Sequence, residues 1–65
     1  MSGGPEKLIV MVLSALQDGP GTSEEIGIEL EIPTKTVSAV LSDLASHGLA
    51  RRTGRLGRFF IYEAS

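Results

Sequence analysis

The sequence predicts a single α+β domain in which three helices precede a two-stranded β-hairpin. Three observations lead to this fold class. Apolar residues recur three and four positions apart in successive segments, as they do on the buried side of a helix. Glycine and proline separate those segments, at Gly19–Gly21 and at Pro33. The strand formers Phe59–Tyr62 then follow a glycine-flanked connection, Gly54–Gly57. With 65 residues the chain can form only one small domain, which we expect over residues 5–65.

The first helix is predicted over Pro5–Asp18, and Met1–Gly4 before it is predicted to be flexible. Proline suits the first turn of a helix, where its missing N–H group is no loss. The Gly-Pro-Gly sequence at Gly19–Gly21 ends the helix, because glycine accepts left-handed conformations and proline cannot continue the hydrogen-bond pattern. The side that should face the core carries Ile9, Val12, Leu13 and Leu16.

A second apolar strip runs along the same helix and consists of Leu8, Met11 and Ala15. This strip has two interpretations. It can pack against a neighbouring element of the same domain, since a first helix held between other elements is apolar on most sides. It can also form a homodimer interface. The first interpretation is the ordinary one, and the second remains a hypothesis.

The second helix is predicted over Ser23–Glu31. Thr22 and Glu25 have the spacing of a capping box, in which each side chain accepts a hydrogen bond from the other's backbone N–H. Gly27 lies inside this helix and costs about 1 kcal/mol relative to alanine, so we expect a close helix–helix approach there. Pro33 closes the segment, because the residue before a proline avoids helical geometry.

The third helix is predicted over Thr34–His47, with Thr34 as its N-cap. One side carries apolar residues at helical spacing: Val37, Val40, Leu41 and Leu44. The other side is short and polar, and almost free of negative charge: Lys35, Ser38, Ala39, Ser42 and Ser46. A helix of this kind can lie close against another surface, and the major groove of B-DNA admits an α-helix.

The hairpin is predicted from Leu49–Thr53 and Arg58–Glu63, joined by Gly54–Gly57. Gly48 ends the preceding helix. Strand alternation puts Phe60 and Tyr62 on one face and Phe59 and Ile61 on the other, and one of these pairs should cover the helices.

The net charge of −2 is distributed unevenly along the chain. Residues 1–33 carry a net charge of −5, and residues 34–65 carry +3. Four arginines lie within eight residues, with no acid among them: Arg51, Arg52, Arg55 and Arg58. Such a cluster can protect a sheet edge from pairing. The interpretation that we prefer is contact with nucleic acid.

The order of these elements resembles a winged helix-turn-helix domain. The stretch TSEEIGIELEIPTKTVSAVLSDLASHGLARRTG is similar to the central part of MarR-like, ArsR-like and IclR-like regulators, and the resemblance covers about Leu8 to Glu63. Two positions depart from the family pattern. Gly27 stands where these families usually have alanine, and Glu31 stands where a glycine often makes the turn.

The resemblance implies a function in sequence-specific binding of double-stranded DNA, as a transcriptional regulator. It implies that the helix Thr34–His47 lies in the major groove and that the wing Gly54–Arg58 contacts the minor groove or the backbone. The DNA-binding residues carried over in this way are Lys35, Thr36, Ser38, Ser42, Arg51, Arg52, Arg55 and Arg58.

A winged helix that binds another protein and no DNA is the alternative, and the acidic first half of the chain supports it. An enzyme is not expected, because the chain has no cysteine and its one histidine, His47, lies at a helix end where a structural role is the ordinary one. Glu25 and Glu29 are interpreted as a solvated acidic face, so no metal is expected. The chain has too little mass to enclose a pocket, so no cofactor or small-molecule substrate is expected. No segment has the roughly 18 apolar residues of a membrane span, and we expect a cytoplasmic location.

Overall fold

The computed structural model describes residues 4–65, which form three helices and a three-stranded antiparallel sheet. The helices are α1 (Gly4–Asp18), α2 (Ser23–Leu30) and α3 (Thr34–Ser46). The strands are β1 (Gly21–Thr22), β2 (Ala50–Leu56) and β3 (Phe59–Ala64). The predicted α+β class and the order of helices and hairpin are therefore confirmed. Of the N-terminus that was predicted to be flexible, residues 1–3 lie outside the described part, and Gly4 belongs to α1.

The core lies between the three helices and one face of the sheet. Eight residues are buried in it: Val12, Leu16, Ile26, Val37, Leu41, Leu44, Ala50 and Tyr62. The residues contributed by α3 belong to the apolar side that its spacing predicted. In the strip on α1, Leu8, Met11 and Ala15 are half-buried, so each is partly covered by its own domain.

The sheet has one strand more than predicted. Gly21 pairs with Tyr62 and Thr22 with Ile61, which makes β3 the central strand in the order β1-β3-β2. The prediction of two strands was incomplete because a two-residue strand carries no alternation pattern. This short strand joins the end of the α1–α2 connection to the hairpin and fixes the hairpin against the helices.

The capping box at the start of α2 is confirmed. The hydroxyl of Thr22 accepts from the N–H of Glu25 at 3.2 Å, and the Glu25 carboxylate accepts from the N–H of Thr22 at 3.0 Å. The predicted end of α2 is one residue too late. The helix ends at Leu30, and Glu31 takes the left-handed conformation with φ 60° and ψ 44°.

The close approach expected at Gly27 is present. A Cβ atom on this residue would lie 2.7 Å from the carbonyl oxygen of Ile32 and 3.5 Å from the Cα of Thr34. The second half of α2 therefore touches the backbone that leads into α3. The missing side chain lets α2 and α3 come this close.

The predicted N-cap of α3 is wrong by one position. Pro33 occupies the cap position in an extended conformation, no side chain caps the helix, and Thr34 is already helical. The backbone carbonyl of Pro33 accepts from the N–H groups of Thr36 and Val37 instead. At the other end His47 is the C-cap, one residue beyond the last helical residue.

The C-terminal end of α3 has a Schellman motif. Gly48 takes a φ of 75°, as predicted for the residue that ends this helix. The N–H of Leu49 donates to the carbonyl of Leu44 at 2.9 Å, and the N–H of Gly48 donates to that of Ala45 at 3.1 Å. These bonds set the direction in which β2 leaves the helix.

The hairpin is longer than predicted and its turn is tighter. Leu56 pairs with Phe59, so only Gly57 and Arg58 form the turn. Gly54 was predicted to lie in the connection, but it pairs with Ile61 inside the ladder. The reason is conformational: Gly57 has a φ of 64°, whereas Gly54 keeps the extended conformation that a strand requires.

Candidate nucleic-acid interface

A β-bulge in β2 decides which way the arginines of the hairpin face. Arg52 lies opposite Tyr62 and Arg55 opposite Phe60, with Thr53 as the extra residue between them. Residues three apart on a regular strand lie on opposite faces, and one inserted residue brings them back to the same face. Arg52 and Arg55 therefore share the sheet face of the buried Tyr62.

Arg51 lies on the other face of the sheet. It is directly opposite Glu63, and its guanidinium donates to the Glu63 carboxylate from Nη2 at 2.7 Å and from Nε at 3.1 Å. Both side chains are substantially exposed. Two adjacent arginines thus have separate surroundings, although the sequence presents them as one cluster.

Arg52 is held by two aromatic side chains. Its Nε donates to the hydroxyl of Tyr62 at 3.1 Å. Its guanidinium carbon lies 4.3 Å from the centre of the Phe60 ring and 5.6 Å from that of the Tyr62 ring. Stacking on aromatic rings is typical of arginine and limits the directions in which the guanidinium can point.

The space between α3 and the hairpin forms a cleft of about 260 Å³. Ser38 and Ser42 line it from the helix, and Arg52 and Arg58 line it from the hairpin. The other lining residues are Ser23, Phe59, Phe60 and Tyr62. Serine hydroxyls and guanidinium groups therefore face the same space.

A second cleft, of about 650 Å³, continues along the first half of α3. It is lined by Glu24, Thr34, Lys35, Ser38, Arg58 and Phe59. Ser38, Arg58 and Phe59 line both clefts, so the two are continuous. We call the combined feature the α3–hairpin groove.

Comparison with known proteins supports the helix-turn-helix interpretation. A family model of helix-turn-helix domains, described as "Cmi2, C-terminal", matches residues 2–56. The chain belongs to this family. No curated protein matches the sequence significantly. The family match ends at Leu56, so β3 with its aromatic side chains lies beyond the matched residues.

A solved structure, that of disulfide-formed AbfR, has the same fold. The two structures superpose with a TM-score of 0.70 at 21% sequence identity. The alignment covers 91% of this chain and 42% of AbfR, so the chain spans less than half the length of that protein. Together with the family match and the observed order of three helices and an antiparallel sheet, this likeness confirms the winged helix-turn-helix fold. Similarity to MarR-like, ArsR-like or IclR-like regulators in particular stays a prediction.

The groove brings together five of the eight residues predicted from sequence to bind DNA. They are Lys35, Ser38, Ser42, Arg52 and Arg58. Arg55 shares the sheet face of Arg52, and its Nε donates to the backbone carbonyl of Gly57 at 3.2 Å. Thr36 is half-buried and lines neither cleft, and Arg51 points away from both.

The sequence alone did not identify the aromatic and acidic parts of the groove. Phe59, Phe60 and Tyr62 were assigned to the sheet as strand formers, and nothing in their spacing showed that they also line a cleft beside α3. Glu24 was interpreted only as an acid favourable at a helix start. Its place in the same cleft as Lys35 depends on how α2 and α3 pack, and no local sequence pattern records that packing.

The one histidine of the chain, His47, caps the C-terminal end of α3. His47 is exposed and its Nδ1 lies 2.8 Å from the backbone carbonyl of Asp43, consistent with the helix-end position expected for it. Within residues 4–65, no three His, Cys, Asp or Glu side chains come together as a metal site. None of the helices in that range is long and apolar enough to cross a membrane.

Proposed function

We propose that the chain is a sequence-specific double-stranded DNA-binding module of a transcription regulator. One observation carries the proposal: the hydroxyl-bearing side of α3 and two arginines of the hairpin, Arg52 and Arg58, line one groove. Membership in a helix-turn-helix family supports the same class of function.

In this proposal α3 enters the major groove with the side that carries Lys35, Ser38 and Ser42. These side chains are exposed and are spaced three and four residues apart, so they lie along one side of the helix. Serine hydroxyls can donate to and accept from base edges, and lysine contacts guanine or phosphate. Ala39 is also exposed, and a methyl group of this size suits contact with a thymine methyl group.

The hairpin acts as the wing. Arg58 lies in its two-residue turn and Arg55 lies beside that turn, so both can reach the minor groove or its phosphates. A narrow minor groove concentrates negative potential, which attracts arginine. The tight turn at Gly57 keeps the tip of the hairpin narrow.

The test compares variants on a duplex chosen from a random library, beside an unrelated duplex. Arg58→Ala should weaken binding to both duplexes and make the slope of log K against log[salt] shallower by about 1. Ser38→Ala should change the preferred site, with little effect on the unrelated duplex. Arg51→Ala is the matched control and should have the smallest effect, because Arg51 faces away from the groove. Equal losses for Arg51→Ala and Arg58→Ala would contradict the proposal.

A protein-binding winged helix is the second candidate, and α2 provides the observation that favours it. Ile28 is 74% exposed there and lies among exposed acidic side chains. These are Glu24, Glu25, Glu29 and Glu31. A salt titration separates the two candidates, because DNA binding through several phosphates weakens steeply with salt. Duplex binding that is undetectable even at low salt would favour the protein partner.

A further inference from the structure

We propose that the 260 Å³ cleft between α3 and the hairpin is a seat for a single phosphate group, and that Arg52 is its fixed donor. The proposal deepens the proposed function, since it rests on DNA binding for the source of that phosphate. It concerns a phosphate contact through Arg52 that sets the position of the domain on the duplex, whereas Ser38 and Ser42 on the facing wall remain the residues proposed to contact bases.

The location follows from the geometry of DNA. If α3 lies in the major groove and the hairpin tip reaches the neighbouring minor groove, one sugar-phosphate strand must separate the two elements. That strand has to pass between α3 and the hairpin. The cleft lies in that place, with Ser38 and Ser42 on one wall and Arg52 and Arg58 on the other.

The chemistry of the lining suits an anion. Two guanidinium groups and the hydroxyls of Ser38 and Ser42 face the cleft, and no carboxylate is among its lining residues. A guanidinium group is planar and can donate two parallel hydrogen bonds to two oxygens of one phosphate. Glu24, which would oppose an anion, lines the larger neighbouring cleft instead.

The size of the cleft suits a phosphodiester better than a small-molecule effector. Pockets for drug-sized ligands occupy about 300–1,000 Å³ and are mostly apolar. This cleft is slightly smaller, and four of its eight lining residues are arginines or exposed serines. One phosphate with the sugar atoms beside it is an occupant of suitable size.

Arg52 is oriented before any ligand arrives. The hydroxyl of Tyr62 holds Nε, and the ring of Phe60 covers one side of the guanidinium. Because Nε donates to Tyr62, the terminal nitrogens Nη1 and Nη2 are the donors left to bind a phosphate. Tyr62 is only 5% exposed, which fixes the position of its hydroxyl. Less side-chain freedom is therefore lost on binding than for an unrestrained arginine.

The experiment removes the charge on each side of the contact in turn. Duplexes with a neutral methylphosphonate at successive backbone positions are titrated with the parent protein, with Arg52→Lys and with Arg51→Lys. Lysine keeps the charge but not the planar fork. Arg52→Lys should weaken binding to the natural duplex about tenfold, and by much less on the one duplex whose seated phosphate is neutral. Arg51→Lys should lose no more than about twofold on any of the duplexes.

A second variant tests the positioning of Arg52. Tyr62→Phe keeps the buried ring and removes the hydroxyl, and its melting temperature shows whether the fold is retained. It should weaken binding to the natural duplex, though less than Arg52→Lys does. This loss should become smaller on the same methylphosphonate duplex on which the effect of Arg52→Lys becomes smaller. The proposal would be overturned if Arg51→Lys and Arg52→Lys weakened binding equally. It would also be overturned if no single methylphosphonate position reduced the effect of Arg52→Lys.

Inorganic phosphate distinguishes this proposal from the proposed function. In ¹H–¹⁵N spectra at constant ionic strength, exchanging chloride for phosphate should shift the signals of Ser38, Ser42 and Arg52 Nε in the parent protein. If phosphate produces these shifts and no duplex binds at any salt concentration, the cleft is a site for a free anion and the DNA-binding function is wrong. If duplexes bind and no backbone position couples to Arg52, the function stands and the seat is wrong.

Discussion

At the residue scale, Glu31 is the position with the clearest local strain. Among residues 4–65 it is the one non-glycine residue with a positive φ. Its N–H donates to the carbonyls of Gly27 and Ile28, and the N–H of Ile32 also donates to that of Gly27. The turn between α2 and α3 therefore requires a left-handed residue at this position, and the chain supplies a glutamate.

Replacing Glu31 by glycine should stabilise the domain. A side chain in the left-handed region costs about 1–2 kcal/mol. Glycine removes that cost but gives back part of the gain, about 0.4–1 kcal/mol, through the greater freedom of the unfolded chain. We expect a net gain of about 0.5–1 kcal/mol, measured by urea unfolding. Glu31→Gln is the control for the lost charge, and if it stabilises as much as Glu31→Gly, strain is not the cause.

Gly27 is the opposite case, because here a side chain should be harmful. In an exposed helix interior, Gly→Ala gains about 1 kcal/mol of helix propensity. At Gly27 the added methyl group would press on the carbonyl oxygen of Ile32, which is backbone and cannot rotate away. Overpacking costs about 1–3 kcal/mol, so Gly27→Ala should lower the free energy of unfolding by up to about 2 kcal/mol. Ile28→Ala, at the exposed neighbour, should change it by less than about 0.5 kcal/mol. A stabilised Gly27→Ala protein would show that the turn can move.

At the element scale, α3 could be predicted from sequence more completely than the hairpin. Helical periodicity assigns every residue of α3 to a side, and the side predicted to be free is the one that lines the groove. The cap at Thr34 was misplaced because proline preceded it and took the cap position. For β2, the alternation of side chains assigns each residue to a face only as long as the strand is regular. The bulge at Thr53 shifts this alternation by one residue, and the alternation pattern itself does not record it.

The bulge gives the hairpin a definite prediction. Exchanging Arg55 and Leu56, as Arg55→Leu with Leu56→Arg, keeps the composition and net charge and moves one guanidinium to the other face of the sheet. If only the amount of positive charge mattered, DNA affinity would not change. Because Arg55 shares the face of Arg52, we expect the exchange to weaken binding about three- to tenfold and to make the salt slope shallower by about 1.

The exchange of Arg55 and Leu56 should leave the fold intact. Leu56 is 58% exposed, so placing arginine there buries no charge. Melting curves of the exchanged and parent proteins should agree within a few degrees. An affinity equal to that of the parent would mean that Arg55 takes no part in the interface, whichever way it faces.

At the scale of the whole molecule, charge and surface area limit what one copy can do. The chain exposes 4236 Å² in total, whereas specific protein–DNA interfaces bury about 1,000–2,500 Å² of protein surface and single modules about 600–1,000 Å². One copy can therefore supply the contacts of a single module. The net charge of −2 adds no general attraction to DNA, so affinity depends on the few cations at the groove and the wing.

The number of these cations predicts the salt dependence of binding. Lys35, Arg52, Arg55 and Arg58 are the ones that our interpretation places against phosphate or in the minor groove. Each neutralised phosphate contributes about 0.9 to the slope of log K against log[salt], so one copy should give a slope of at most about −4. Fluorescence anisotropy between low and physiological salt measures this slope. A flat dependence would contradict binding through these side chains.

Binding of two copies to one duplex can test the homodimer interface predicted at Leu8, Met11 and Ala15. Two bound copies should double the salt slope of one. Half-sites about 10 base pairs apart place two domains on the same side of DNA. If the strip joins them, the second copy binds more tightly than the first, and Met11→Gln should remove this cooperativity while leaving single-site affinity unchanged. Val10→Gln is the matched control, because Val10 is a neighbouring exposed position outside the strip.

All three strip residues are already half-covered by their own domain, so the interface should be weak in free protein and visible only on DNA. Sedimentation that shows independent binding of two copies at every concentration would exclude it.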